Sequence, residues 1–347
     1  MTSDLTPEVL TRLLSGRLAT ARVTDVDVEV VGTGQMAECH RLRLRYDQPG
    51  AGPASVVAKL PSADDASRAA AVAVRAYEVE VNCYRHVHPT LQVRAPQCYF
   101  ADIDLATNDF VLLLEDVAPA GQGDQLAGCT VDQAAAALAE LPGLHAPRWG
   151  DETLTALDWL HRNTPETRGF LGLLLRSLYP GFVERYAERL SPDVLRMSEH
   201  VMAAIDQLDD RPRPWTVTHG DYRLDNLLFG ASAADRVVVV DWQTAGLGPG
   251  VADLSYFLGG SLLPAQRRAH EAALVRDYHQ RMLAAGVALT WDDLWEQYRR
   301  YSISGLVMAM AASMMVKRTD RGDEMFVTMA ERAGQHALDL EVVALLR

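Results

Sequence analysis

The chain has 347 residues, of which 48% are hydrophobic and 23% charged, and its formal net charge is −13. A chain of this length exceeds what one hydrophobic core usually supports, so two lobes or domains are expected. No cluster of lysines and arginines stands out, which argues against a nucleic-acid-binding protein, because such a protein needs a basic surface. The acidic balance is compatible with electrostatic steering of a cationic substrate, or with solubility alone.

The cysteines and the apolar segments indicate a cytoplasmic protein. Cys39, Cys83, Cys98 and Cys129 have neither C-x-x-C spacing nor paired histidines, a pattern typical of free thiols in a reducing compartment. The N-terminal residues lack a basic stretch followed by an apolar one, so no signal peptide is predicted. The longest apolar stretch, 303–316, is shorter than the roughly 20 residues that cross a bilayer. We therefore expect no membrane segment.

The N-terminal third predicts a small β-rich lobe. Thr6 and Pro7 are typical of the N-cap and first position of a short helix. One main helix, 67–87, carries apolar residues at helical spacing. Runs with strand character occupy 26–31, 39–46, 55–60, 97–101 and 110–114.

A polar break with two glycines, 115–123, follows the last of these strands and is where we place the boundary between domains. This divides the chain into an N-lobe of residues 1–114, a linker, and a C-lobe of residues 124–347. The C-lobe is mostly helical, and only 221–240 interrupts it with short apolar runs. Helical patterns cover 130–145, 166–209, 264–285, 291–316 and 320–346. The predicted class is α+β, with two lobes.

The interruption carries the chemistry. Phosphoryl transfer requires positioned phosphates, a metal ion and a carboxylate that orients the attacking hydroxyl. His219-Gly220-Asp221 is followed five residues after the aspartate by Asn226, in a loop ahead of an apolar strand. Asp241 ends the next apolar strand, and with Asn226 it offers the oxygen ligands that suit Mg²⁺. Each element alone is weak, but their combination indicates a kinase.

This combination resembles the aminoglycoside phosphotransferase/choline kinase superfamily, whose fold is that of the protein kinases. The match comprises H-G-D-x-x-x-x-N at 219–226, D-W-Q at 241–243 and Asp253-Leu254. The D-W-Q form and the segment 253–258 are similar to the ecdysteroid-kinase-like and uncharacterised bacterial branches. Leu144-His145 also resembles a helix end that recurs in these kinases.

The resemblance implies that Asp221 is the catalytic carboxylate and that Asn226 and Asp241 hold Mg²⁺. His219 and Asp253 would organise the catalytic loop, although an N-cap before Leu254 explains Asp253 equally well. For Asp225 the simpler interpretation is a solvated or loop-bonding carboxylate.

The nucleotide-binding residues are assigned by the same resemblance. Lys59, on an apolar strand, resembles the third-strand lysine that contacts the α- and β-phosphates. Its acidic partner would be Glu78 or Glu80, which periodicity does not separate; the helix pattern of the family favours Glu80.

A glycine loop and a hinge complete the nucleotide side. Gly32 and Gly34 are compatible with a phosphate-covering loop or with an ordinary hairpin turn. Glu115 and Val117 lie in the expected hinge, where backbone groups would bind adenine. The residues do not separate ATP from GTP, and ATP is favoured by the family alone.

The resulting hypothesis is a Mg²⁺- and ATP-dependent kinase that phosphorylates a hydroxyl of a small molecule, such as a metabolite, a sugar or an aminoglycoside-like compound. The alternative is a catalytically silent, nucleotide-binding regulatory module, which usually lacks a base or a metal ligand. A protein kinase is disfavoured because no D-F-G or A-P-E segment follows Asp241. The identity of the acceptor and the oligomeric state are left open.

Overall fold

The protein is described by a computed structural model, in which the chain forms two compact units. The first unit comprises Met1–Pro89 and Ala95–Pro119, and the second comprises Thr90–Arg94 and Ala120–Arg347. No helix within the described part of the chain is long and apolar enough to span a membrane. The structure describes residues 5–32, 36–162, 165–206, 212–232 and 235–346.

The first unit is built on a five-stranded antiparallel sheet in the order β1-β2-β3-β5-β4. Leu42 on β2 lies opposite Val56 on β3, and alternation along the strands puts both on one buried face. Helix α1 packs Leu10 into the same cluster. The elements are α1 (Pro7–Leu13), α2 (Ser15–Leu18), β1 (Val23–Val31), β2 (Ala37–Tyr46), β3 (Ser55–Pro61), β4 (Cys98–Asp104) and β5 (Asp109–Glu115).

The helix predicted over 67–87 is two helices, α3 (Asp65–Ala73) and α4 (Ala76–Asn82), followed by a π-helical turn. Arg75 separates them with a φ of 56°, in the left-handed region that a continuous helix of L-residues does not visit. Helical spacing reports which face is buried, and a single left-handed residue leaves that spacing almost unchanged. The prediction of one continuous helix was wrong for this reason.

The second unit is mostly helical, as predicted. Its first helix, α5, begins with a capping box in which Thr130 and Gln133 satisfy each other's backbone amides. The helices are α5 (Val131–Leu138), α6 (Leu141–His145), α7 (Pro165–Tyr186), α8 (Pro192–Ala203), α9 (Val251–Ser261), α10 (Pro264–Ala284), α11 (Trp291–Arg300), α12 (Ser304–Met315) and α13 (Asp320–Asp339).

Four of the predicted helical patterns are broken where the spacing predicted continuity. The pattern 130–145 is divided into α5 and α6. In the pattern 320–346 the α-helix ends at Asp339, before a 3₁₀ turn at Val342–Leu345. The pattern 166–209 is divided into α7 and α8, and Pro192 occupies the first turn of α8, where its missing N–H costs nothing. The pattern 291–316 is divided into α11 and α12 by a 3₁₀ turn at Tyr301–Ile303. The α+β class is confirmed, with a sheet in the first unit and a larger, helical second unit.

Short strands frame the segment that interrupts the helices of the second unit. They form two small sheets, in the orders β10-β9-β6 and β7-β11-β8. The strands are β6 (Gly121–Gln122), β7 (His161–Arg162), β8 (Thr216–Thr218), β9 (Leu227–Phe229), β10 (Val238–Val239) and β11 (Gly246–Gly248). A loop that connects two of these strands is therefore anchored at each end by a paired strand.

A buried polar network joins α10, α11 and α13. Glu271 accepts hydrogen bonds from the hydroxyl of Tyr298, at 2.6 Å, and from Nε2 of His336, at 2.7 Å. Arg267 pairs with the same carboxylate at 3.2 Å. Burial lowers the pKa of His336 from its ordinary value of 6.5. Burial opposes ionisation of Glu271, but the hydrogen bonds from His336 and Tyr298 and the charge of Arg267 outweigh it, so the pKa of Glu271 is also lowered from 4.5.

Both shifts predict that stability falls in acid. Unfolded His336 takes up a proton below about pH 6.5, which the folded protein resists, and unfolded Glu271 does the same below about pH 4.5. The free energy of unfolding should therefore decrease as the pH falls from 7 to 5, and His336→Asn should flatten this dependence. Urea unfolding at a series of pH values measures it. The control is His270→Asn, an exposed histidine beside Glu271; an equal flattening in both variants would contradict the assignment.

Candidate active site

The H-G-D segment lies in the loop that connects β8 to β9, and Gly220 determines its path. The φ of Gly220 is 81°, and a Cβ at this position would lie 2.4 Å from the carbonyl oxygen of Thr244. Any other residue would have to displace backbone, so the glycine is a steric requirement. A 3₁₀ turn, Leu224–Asn226, then leads into β9.

Asp253, in the first turn of α9, holds the loop through its backbone. Its carboxylate accepts hydrogen bonds from the amide of His219, at 2.7 Å, and from the amide of Gly220, at 2.9 Å. His145 approaches the same carboxylate at 3.3 Å and also contacts the hydroxyl of Tyr278 at 2.9 Å. Because α9 begins at Val251 without a side-chain cap, the N-cap interpretation of Asp253 was wrong.

His219 ties the loop to the strand that precedes Asp241. Its Nε2 lies 3.0 Å from the carbonyl oxygen of Val240, and its Nδ1 accepts from the amide of Asp221 at 3.3 Å. The ring is fully buried and contacts Trp242, with centroids 4.8 Å apart. Both nitrogens therefore serve the backbone, which makes His219 part of the scaffold of the loop.

The carboxylate of Asp221 collects donors from three residues. The hydroxyl of Tyr256 donates to Oδ1 at 2.7 Å, whereas Oδ2 accepts from the amide of Asn226, at 2.9 Å, and from Nε of Arg223, at 3.0 Å. Burial opposes ionisation of Asp221, but the charge of Arg223 and these hydrogen bonds outweigh it and lower its pKa. Asp221 is consequently an ionised acceptor whose orientation is constrained from both sides.

Asn226 and Asp241 are brought close through the backbone. The carbonyl oxygen of Asn226 accepts from the amide of Val240 at 3.0 Å, and Asp241 is the next residue. The side-chain amide group of Asn226 donates to Asp221, so its amide oxygen is the atom left for a cation. Asp241 has a φ of 67°, an uncommon conformation for a residue with a Cβ. This bend follows directly after β10 and turns the chain into a 3₁₀ turn that begins at Trp242.

Sequence reasoning missed Arg223 and Tyr256 as partners of Asp221. Arg223 also pairs with Asp225 at 2.5 Å, and Asp225 in turn accepts from the amide of Gln125 at 3.0 Å. Asp225 is therefore loop-bonding, as the simpler interpretation predicted. Arg223 could have been predicted as an ion-pair partner, because it lies between Asp221 and Asp225 in the sequence. For Tyr256 the only sequence signal was its position three residues after Asp253, on the same face of a helix.

The first unit contains the second group of predicted residues. Lys59 on β3 and Glu80 on α4 form a buried ion pair, with Nζ at 2.9 Å and 2.7 Å from the two carboxylate oxygens. Glu78 instead pairs with Arg75 at 2.7 Å. The helix pattern thus selected the glutamate that contacts Lys59.

The remaining nucleotide-side residues are less informative. Gly32 has a φ of 78° and open space around its Cα, as suits a turn, and Gly34 lies outside the described residues. Glu115 ends β5, and its carboxylate accepts from the amide of Gln97 at 3.0 Å. Val117 is half-buried and follows it in an irregular segment.

A cavity of about 330 Å³ adjoins the H-G-D loop within the second unit. Its walls include Gly220, which precedes Asp221, and Tyr256, which donates to Asp221. Val307 and Met308 of α12 contribute apolar surface on other walls. The carboxylate of Asp221 is thus in contact with a residue of a pocket that is large enough for a small molecule.

Comparisons with known proteins show the family of the chain. A model of the APH phosphotransferase enzyme family matches residues 52–287, more than half of the chain and every residue assigned above except Gly32 and Gly34. Acyl-CoA dehydrogenase family member 10 of Mus musculus is 40% identical over 55 residues, which are 16% of this chain and 5% of that protein. The chain thus spans only a small part of the length of this relative.

Solved structures resemble the chain over nearly its whole length. Choline kinase from Cryptosporidium parvum gives a TM-score of 0.54 at 10% identity, covering 91% of this chain and 89% of that one. A thermostable mutant of the aminoglycoside phosphotransferase APH(4)-Ia, in a ternary complex with ADP and hygromycin B, gives 0.52 at 14% identity, covering 96% and 98%. At these identities the likeness shows the fold, which confirms the predicted kinase-like class.

The Lys59–Glu80 pair makes a prediction about stability. Glu80→Ala should lower the free energy of unfolding by about 3–5 kcal/mol, because it removes the carboxylate that forms an ion pair with the buried Lys59 ammonium. The double variant Lys59→Met, Glu80→Leu should recover most of that loss, since it removes both charges. Denaturant unfolding of the single and double variants measures the difference.

Glu78→Ala is the matched control. Glu78 lies two residues away on the same helix and pairs with the exposed Arg75, so its loss should cost at most about 1 kcal/mol. Equal costs for Glu78→Ala and Glu80→Ala would contradict the buried-pair interpretation.

Proposed function

The chain belongs to the phosphotransferase enzyme family, and on that premise we propose that it is a small-molecule kinase that transfers the γ-phosphate of ATP to an alcohol. The observation that carries the proposal is the environment of Asp221. This carboxylate is ionised, held by Tyr256, Asn226 and Arg223, and adjoins a cavity through Tyr256. A carboxylate in that state can orient a hydroxyl and accept its proton.

In the proposed reaction the hydroxyl oxygen of the acceptor attacks the γ-phosphorus of ATP. The bond from that phosphorus to the bridging oxygen breaks, and ADP leaves. The hydroxyl proton passes to the carboxylate of Asp221, from which solvent removes it. Asn226 and Arg223, which share Oδ2 of Asp221, keep the carboxylate aligned, so Oδ1, bonded to Tyr256, is the better candidate for the proton.

The donor set fits a magnesium ion. Asn226 contributes an amide oxygen and Asp241 a carboxylate, both of the hard oxygen type that Mg²⁺ prefers. No group of three or more His, Cys, Asp or Glu side chains that could hold a metal occurs among the described residues. Two protein ligands leave coordination positions for phosphate oxygens and water. When bound, the ion would neutralise charge on the phosphates during transfer.

The first unit would bind the nucleotide in this proposal, with residues 1–114 as the N-lobe and 115–123 as the hinge. The Lys59–Glu80 pair supports it, because a lysine fixed by a buried carboxylate presents its charge in a defined place. Gly32, Gly34, Glu115 and Val117 would complete the nucleotide site. The ADP in the aminoglycoside phosphotransferase complex supports an adenine nucleotide as the donor. All four cysteines are free, which favours the cytoplasm as the compartment.

Replacing Asp221 tests the proposal. Asp221→Asn keeps the shape of the side chain but cannot accept the proton, so kcat should drop by about a hundred- to ten-thousand-fold. Nucleotide affinity should stay close to that of the unmodified protein, because the assigned nucleotide contacts lie elsewhere. ADP release in the presence of a panel of alcohols, with product detection by mass spectrometry, measures the turnover, and calorimetric titration with ATP and Mg²⁺ measures the affinity.

Asp235→Asn serves as the control, because Asp235 is an exposed aspartate in the turn between β9 and β10. Phosphoryl transfer that persists at the normal rate in Asp221→Asn would refute the catalytic assignment. Nucleotide binding without transfer to any alcohol would favour the silent regulatory module instead.

A further inference from the structure

The cavity beside the catalytic loop has a composition that narrows the acceptor. Its volume, about 330 Å³, is at the lower end of the range of about 300–1,000 Å³ for ligand pockets. Apolar side chains from three helices form most of the walls, including Leu171 of α7, Tyr256 of α9 and Val307, Met308 and Ala311 of α12. An acceptor that fills it must be small and must have a largely apolar body.

The acidic side chain on the cavity wall is already hydrogen-bonded within the protein. Asp253 is the acidic residue among the described side chains that line the cavity, and it is 2% exposed. Its oxygens accept from the amides of His219 and Gly220 and contact His145. A ligand ammonium buried here would therefore lack a dedicated anionic partner, and an unpaired buried charge is costly.

The basic side chain on the cavity wall has N–H donors that can bind a ligand. Arg300, the last residue of α11, lines the cavity, and its side chain is 31% exposed. Its ion pair with Glu296 spans 3.7 Å, which is longer than a hydrogen bond, and Glu296 is itself 61% exposed. A guanidinium carries five N–H donors in a fork that fits a carboxylate, so a weak pair with one solvated oxygen leaves donors for a ligand.

We propose that the acceptor is a hydroxy acid with an apolar chain, whose carboxylate binds Arg300 and whose hydroxyl is presented to Asp221. This inference rests on the proposed kinase function and deepens it by naming the substrate class. The products are ADP and the phosphate ester of the hydroxy acid, and the proton of the hydroxyl leaves through Asp221. The acceptors named in two structurally similar proteins, choline and hygromycin B, differ from this class, so the cavity and not the fold carries the assignment.

A matched set of six-carbon probes tests the class. 6-Hydroxyhexanoate, 1-hexanol and 6-amino-1-hexanol share a hydroxyl and five methylenes, and they differ at the sixth carbon, which is a carboxylate, a methyl or an aminomethyl group. Shorter and longer ω-hydroxy acids cover other separations of hydroxyl and carboxylate. Each is compared with the alcohol and the amino alcohol of the same chain length. The 347-residue protein with ATP and Mg²⁺ should give its highest kcat/KM with a hydroxy acid, an intermediate value with the neutral alcohol and the lowest with the amino alcohol.

Arg300→Gln tests the residue. The variant should raise KM for the best hydroxy acid by about ten- to a hundred-fold, the usual effect of losing a hydrogen bond to a charged group. KM for the neutral alcohol should stay within about twofold, because that probe has no group for Arg300. A general loss of folding would affect both probes and is thereby separated from loss of the carboxylate contact.

Arg281→Gln is the control, since Arg281 also lies in the last turn of a helix and pairs with an acid four residues earlier, but outside the cavity. It should leave both KM values unchanged.

The two proposals fail in different ways. Preference for the amino alcohol, or an Arg300→Gln variant that affects the three probes equally, would overturn the hydroxy-acid assignment and leave the kinase function intact. If no probe is phosphorylated, calorimetric titration of the protein with the hydroxy-acid series decides. Saturable binding that is weakened by Arg300→Gln would keep the site and refute the kinase, whereas no binding would overturn the assignment.

Discussion

The carboxylate of Asp253 accepts hydrogen bonds from two consecutive backbone amides, those of His219 and Gly220, and the path of the H-G-D loop depends on this contact. Two amides that converge on one side chain determine both the position and the direction of the chain between them. Gly220 completes the constraint, because its φ of 81° and its approach to Thr244 exclude a side chain. Asp221 follows immediately, so these contacts also determine where the chain presents Asp221.

The same helix then secures the carboxylate that the loop presents. Tyr256 lies three residues after Asp253 on α9, on the same face, and donates to Asp221 at 2.7 Å. Burial and the nearby carboxylate of Asp221 raise the pKa of Tyr256, so its phenol remains a donor. One helix therefore holds both the backbone of the H-G-D segment and the side chain of Asp221, and α9 also supplies Tyr256 to the wall of the cavity. A shift of α9 would alter the loop, the carboxylate and the pocket together.

Features of this site that depend on residues close together in the sequence were predicted, and features that depend on contacts between distant residues were not. The spacing of His219, Asp221 and Asn226 is local and belongs to one loop, so the motif and the family were recognised and the family is confirmed. The role of Asp253 needed the knowledge that α9 begins at Val251, which propensity alone does not specify to the residue. The contact of Tyr256 with Asp221 joins a helix face to a loop 35 residues away, and no spacing rule encodes such a contact. The break between α3 and α4 at Arg75 was not predicted, because one left-handed residue hardly alters the periodicity of the buried face.

The side chains that line a cavity determine the charge that a ligand meets there, and the net charge of the chain does not predict it. A net charge of −13 allowed steering of a cationic substrate, yet most carboxylates responsible for that total lie on solvated surfaces, where salt screens them within about 10 Å. At the cavity the balance is reversed, because Asp253 is engaged by the loop that it supports, while Arg300 keeps donors available. The hydrogen bonds that Asp253 accepts from the loop thus occupy the carboxylate oxygens that a ligand cation would contact. The same contacts of Asp253 therefore hold the loop and keep the oxygens of this carboxylate engaged at the cavity wall.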